Sequence, residues 1–136
     1  CMLGAEKQKA WLSDQSFAKK FGFTAVDRTD NGYELLALSF DGSVPHFAAG
    51  TKQMTVDAKG LTVYYDLQCP YIPQRVEKLR EHCASNGIPA EFILVDSLEK
   101  AKALPCVFNN WAVFYDGKFV TVNQIDAAML EKLIRR

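Results

Sequence analysis

Cys69 stands in the stretch QCPYIPQR, residues 68–75, after an apolar run and ahead of a helical pattern. A thiol at a strand-to-helix junction is well placed for nucleophilic chemistry. Helix N-termini carry roughly half a positive charge and free N–H groups, which stabilise a thiolate. Pro70 at the first helical turn costs no hydrogen bond and presets the backbone. The position for the second cysteine of a C-x-x-C pair holds Ile72, so any thiol chemistry here is monothiol. The alternative is packing, because a buried cysteine behaves as a small hydrophobe.

The other reactive side chains are sparse. Cys83 falls on the apolar stripe of the helix that follows Cys69, which points to core packing. Cys106 follows Leu104-Pro105 in a loop ahead of a later strand. Two roles are open to it: pairing with Cys69, or lining the pocket of that thiol. Pairing needs Cα atoms within about 7 Å. The four cysteines, at 1, 69, 83 and 106, have no zinc-site spacing. His46 and His82 have no carboxylate at a telling spacing, so solvent-facing or packing roles are expected. Asp66 reads as a strand end, and Lys19-Lys20 as the end of a helix.

Composition bounds the function. With 49% hydrophobic and 24% charged residues, the 136-residue chain has ordinary globular character. Its net charge is zero, with no basic half, so nucleic acid and anionic membranes are not expected partners. No apolar run approaches the roughly 18 residues of a membrane-spanning helix. A chain with this much core-forming sequence does not need disulfides, so reduced thiols in a cytoplasm are expected. Cys1 could be read as a lipidated first residue. Met2-Leu3 look like a strand rather than a polar tether, so a processed or truncated start is the expectation.

These side chains need elements to position them. Trp11 to Phe21 reads as a short helix closed by Gly22, with Phe17 and Phe21 one turn apart. Phe23–Val26 and Tyr33–Phe40 read as strands around the turn Asp30-Asn31-Gly32. Residues 41–60 carry Gly42, Pro45, Gly50 and Gly60 with no periodicity, and read as a connector at a domain boundary. Leu61 to Asp66 is β-branched and aromatic, hence a strand. From Pro70 the apolar residues Ile72, Val76, Leu79 and Cys83 follow helical spacing up to Asn86-Gly87. Ala90–Val95 is the next strand. Ser97 caps a short helix with Leu98, Ala101 and Leu104 on its apolar face. Trp111–Tyr115 and Lys118–Val122 form a hairpin about Asp116-Gly117, with core aromatics Trp111, Phe114, Tyr115 and Phe119. Ile125–Ile134 closes as an amphipathic helix. The fold class is α/β, and the order after residue 60 is βαβαββα, that of a thioredoxin-like domain.

Residues 61–136 resemble the YoaP-type thioredoxin-like domain through LTVYYDLQCPY, NGIPAEFILVDSLEKAKALP and FYDGKFVT. Residues 1–42 resemble the C-terminal fragment of a GNAT acetyltransferase fold. That likeness rests on the strand end at Cys1–Leu3, the helix SFAKKFGF and the hairpin around DNGYELLAL. Residues 43–60 are then a linker. The resemblance implies an acetyl-CoA-dependent N-acetyltransferase acting on a small-molecule or peptide amine. The thioredoxin-like domain positions substrate or a partner, and a homo-oligomer is compatible with this.

The departures from the family patterns also carry meaning. Residues 1–60 contain no Q/R-x-x-G-x-G/A loop for the CoA pyrophosphate. Ala18 stands where many GNAT enzymes carry a tyrosine acid. CPYI replaces the glutaredoxin-like CPYC, which brings Tyr71 beside the thiol as a substrate-binding candidate. The position of the thioredoxin-like cis-proline falls near Asn109, which joins Cys106 as a further candidate. The alternative function is a monothiol glutaredoxin-like redox or thiol-binding module using Cys69.

Overall fold

The structure is a computed structural model that describes residues 1–7 and 14–135. It divides into two compact units, Cys1–Lys52 and Gln53–Arg136.

The first unit is a three-stranded antiparallel sheet with one short helix. Strands β1 (Met2–Ala5), β2 (Thr24–Arg28) and β3 (Tyr33–Ala37) lie in the order β1-β3-β2, with helix α1 (Ser16–Lys20) between β1 and β2 in the chain. The β2–β3 hairpin closes through Thr29. Its N–H donates to the Tyr33 carbonyl at 2.9 Å, and its Oγ1 accepts from the Tyr33 N–H at 3.1 Å. Gly32 supplies the left-handed residue that this turn needs, at φ 87°. Trp11–Ser13, the expected start of the first helix, fall outside the described residues. Asp14 is not in the helix; it bridges to Ala5, and its Oδ1 accepts from the Ser16 N–H at 3.1 Å. Phe17 and Phe21 stack one turn apart at 5.2 Å, and both are exposed.

The stretch read as a featureless connector has specific anchors. A β-bulge at Ala25/Asp27 turns β2 there. The Asp27 carboxylate accepts from the Phe47 N–H at 2.9 Å and from the Lys52 ammonium. The hydrogen bond from the Lys52 ammonium is the main cause that holds the Asp27 carboxyl below its ordinary 3.8; the Phe47 and Arg28 amides add to it, against partial burial. The sign follows directly. A carboxyl with a depressed folded pKa contributes stability above its unfolded value, and that contribution is lost as pH falls through the folded pKa. The Phe47 amide resonance is therefore expected to titrate with a midpoint below 3.8. Asp27→Asn abolishes that titration, and a pH-insensitive Phe47 amide in the wild type contradicts the clamp.

The second unit holds strands β4 (Leu61–Tyr65), β5 (Ala90–Leu94), β6 (Trp111–Tyr115) and β7 (Lys118–Thr121). Its helices are α2 (Ile72–Ser85), α3 (Leu98–Lys102) and α4 (Ala127–Ile134). The sheet order is β5-β4-β6-β7, with β4 and β5 parallel and the other neighbours antiparallel. A parallel pair needs a crossover, and α2 supplies it. The hairpin turn at Asp116 and Gly117 has φ 46° and 80°, the left-handed pair that matches strand twist. Residues 54–56 extend the β7 side: the Val56 N–H donates to the Gly117 carbonyl at 2.9 Å, and the Phe119 N–H to the Met54 carbonyl at 3.1 Å.

Strand alternation sorts this core into two faces. Leu61, Val63, Trp111 and Val113 pack with Ile72, Val76, Leu79 and Cys83 of α2 and with Leu130 of α4. Ala112 and Phe114 pack with Cys106 on the other face, joined by Tyr64, Phe108 and Phe119. Two helix readings need correction. No residue of α3 is buried and Leu98 is exposed; Leu104, beyond the helix, is the buried one. Ile125 precedes α4, whose true cap is Asp126, accepting from the Met129 N–H at 2.8 Å.

Candidate functional site

The junction between β4 and α2 is anchored at both ends. Val95 donates to the Tyr65 carbonyl at 2.8 Å, and the Asp66 N–H donates to the Asn110 carbonyl at 3.2 Å. The buried Asp66 carboxylate accepts from the Gln68 N–H at 3.0 Å, which folds the loop into a side-chain turn. The Cys69 carbonyl then accepts from the Ile72 N–H at 3.1 Å.

Helix α2 starts two residues later than the sequence pattern implies, at Ile72, so Pro73 rather than Pro70 lies in its first turn. This matters for the thiol. The Ile72 N–H is already bonded, Pro73 has none, and the Arg75 N–H donates to the Tyr71 carbonyl at 3.1 Å. Two of the first-turn positions, Ile72 and Pro73, therefore offer no free N–H. Cys69 is partly buried, with its side chain against the α2 face of the core. Tyr71 is 72% exposed beside it, and Leu67 is exposed on the same loop. Trp111 lies wholly within that core face, its indole N–H without a hydrogen-bond partner.

Cys106 does not join Cys69. It is 2% exposed and packs on the opposite face of the sheet, against Ala112 and Phe114. Burial pushes its thiol up to about 12. Burial also raises the Cys83 thiol. Asn109 is partly buried and next in sequence to Asn110, whose carbonyl holds the Asp66 amide. Three of the four candidates therefore lie on the β4–α2 loop or the loop bonded to it, and Cys106 faces the other way.

These burials set an order of reaction. Iodoacetamide at about pH 8 is expected to alkylate exposed Cys1 first and Cys69 next. Cys83 and Cys106 are expected to react only after unfolding. Peptide mapping over time checks this, and early labelling of Cys106 in the native chain contradicts its placement.

Both histidines have carboxylate neighbours that spacing did not reveal. His46 Nδ1 lies 4.0 Å from Asp27 Oδ2, and His82 Nε2 lies 3.6 Å from Glu131 Oε1. The second pair links α2 to α4. Among the described residues no group of three or more His, Cys, Asp or Glu is arranged to hold a metal ion. No described helix is long and apolar enough to cross a membrane.

Residues 89–132 match the YoaP-like family model. The chain is similar to YoaP-type proteins. It is 32% identical over 134 residues to the Bacillus subtilis (strain 168) protein named Uncharacterized N-acetyltransferase YoaP, a match covering 97% of this chain and 53% of that protein. The chain thus spans about half the length of that relative. No solved structure matches it. The YoaP-like match runs from Pro89, ahead of β5, to Lys132 in α4. It includes Cys106 and Asn109 but not Cys69 or Tyr71. The likeness to YoaP therefore reaches the thiol loop only through the longer alignment.

Proposed function

We propose that this chain is part of an acetyl-CoA-dependent N-acetyltransferase of GNAT type, with the second unit as a thioredoxin-like module that positions the amine acceptor or a partner. The observation that carries this is the 32% identity along 97% of the chain to a protein named as an N-acetyltransferase. Two features of the fold support it. In the first unit the last strand, β3, is inserted between β1 and β2, with a helix between β1 and β2 in the chain. In the second, a parallel βαβ unit is followed by a helix, a hairpin and a closing helix, in the order β5-β4-β6-β7.

The described residues do not themselves fit the CoA pyrophosphate. Helix α1 has five residues, its N-cap Gln15 makes no side-chain cap, and no glycine-rich loop leads into it. In this reading the phosphate cradle belongs to the part of the YoaP length that the chain does not span. The acceptor-positioning surface is the loop of Cys69 and Tyr71 with neighbouring Asn109. Cys106, buried on the other face, has no part in it. That burial also leaves Cys69 without Cys106 as a resolving thiol, which weighs against a dithiol redox role.

The test is acetyl transfer to a panel of small amines and peptides by the intact protein, with product read by mass spectrometry. Removing residues 53–136 is expected to raise the acceptor KM at least tenfold while the acetyl-CoA KM stays unchanged. No transfer to any amine overturns the acetyltransferase reading. An unchanged acceptor KM overturns the accessory role alone. Cys69→Ser separates the thiol from its loop, and full activity in that variant leaves the loop to act through shape.

A further inference from the structure

The second unit has a groove of about 240 Å³ lined by residues of β7, α4 and the segment joining them. Its floor is apolar: Val120, Ile125, Met129 and Leu133. Three polar residues complete its lining, Thr121, Asn123 and Lys132. Val120 and Met129 remain 37% and 52% exposed, so the floor is open to a ligand.

Lys132 is the informative residue. Its sequence neighbour Glu131 is already engaged by His82 and by Arg135 at 3.4 Å. Among the described residues no carboxylate pairs with Lys132. A lysine in the last turn of a helix also suits the macrodipole. That accounts for the charge but not for its place in the lining of a largely apolar groove. An unpaired cation beside apolar surface complements a ligand with an anionic end and an apolar body. The neutral amide of Asn123 offers both a donor and an acceptor. Met129 supplies an adaptable wall.

We infer that the β7–α4 groove binds a small apolar carboxylate, its chain on Val120, Ile125, Met129 and Leu133 and its carboxylate on Lys132. The volume lies below the roughly 300–1,000 Å³ of sites for drug-sized ligands, so the ligand is about the size of one apolar amino acid. This site is independent of the acetyltransferase reading.

N-acetyl-leucine is a suitable probe, with an apolar side chain, an amide and a free carboxylate. Titrated into the methyl-labelled 136-residue chain, it is expected to give saturable NMR shifts at Val120, Ile125, Met129 and Leu133. N-acetyl-leucinamide, which lacks the charge, is expected to bind at least tenfold more weakly. Lys132→Gln, an exposed substitution, is expected to weaken N-acetyl-leucine by the same factor while leaving the unfolding midpoint unchanged. Absence of saturation up to about 10 mM, tenfold above a millimolar Kd, overturns the proposal. Equal binding of the acid and the amide overturns it as well. Shifts at these residues that grow with protein concentration alone assign the groove to a second copy and also overturn it.

Discussion

Gly60→Ala is expected to destabilise the second unit by about 3 kcal/mol or more, the sum of left-handed strain of roughly 1–2 kcal/mol and weakened hydrogen bonds of about 1 kcal/mol each. Gly60 has φ 78°, where a Cβ meets its own following carbonyl. An added Cβ also lies 2.3 Å from the Pro89 carbonyl oxygen, far inside any real contact. Neither side can retreat. The Pro89 oxygen accepts from the Leu61 N–H at 2.9 Å, which starts the β4–β5 pairing. Gly60 donates to Asp116 Oδ1 at 2.8 Å and accepts from the Asp116 N–H at 2.9 Å, which ties it to the β6–β7 turn. Relief of the clash therefore loosens a strand start and a hairpin together. Gly87→Ala is the control. Gly87 also has a positive φ, 64°, but nothing lies within 4 Å of its would-be Cβ. It is expected to cost only the backbone strain, about 1–2 kcal/mol. Urea unfolding followed by far-UV circular dichroism checks both. Equal losses for the two variants contradict the close approach at Gly60.

Trp111→Ala is expected to cost a further class of energy, about 3–5 kcal/mol, because a large buried side chain leaves a cavity that its neighbours only partly fill. Trp111 is 0% exposed and opens β6, opposite Tyr65 of β4. Its neighbours come from a strand layer and two helices, Val63, Leu79 and Leu130 among them, so collapse needs coordinated movement of several elements. Trp111→Phe is expected to be much milder. It keeps most of the apolar volume and removes an indole N–H that has no partner, and burying such a donor costs about 1–3 kcal/mol. A Phe variant as unstable as the Ala variant contradicts this account. Because Trp111 faces the same core that Cys69 packs against, the Ala variant is also expected to speed Cys69 alkylation.

Patterns that close within a few residues could be read from the chain alone. The β-branched and aromatic run Leu61 to Tyr65, the stripe Ile72–Val76–Leu79–Cys83 and the turn Asp116-Gly117 fall where local physics puts them, because side-chain propensity, helical period and φ restrictions act between near neighbours. The order of strands and helices after residue 60 followed from those patterns. Element boundaries slipped where capping competed with periodicity. Ile125 belongs to the apolar period of α4, yet Asp126 caps the helix and leaves Ile125 outside it.

Tertiary structure decided what the reactive residues face. Whether Cys69 and Cys106 meet depends on which face of the sheet each loop returns to, and that is set by pairing β4 against β6, not by either loop. The Asp27 clamp joins residues 20 and 25 positions apart, and the His82–Glu131 pair joins two helices with three strands and α3 between them. Such contacts leave no periodic trace, because their energy arises only after loop closure has brought distant residues together. The sequence by itself determined the elements and the single thiol at a strand-to-helix junction. Only the fold sent Cys106 to the opposite face, supplied both histidines with carboxylates and brought Lys132 into the lining of a largely apolar groove, because each of these depends on chain segments that meet only in three dimensions.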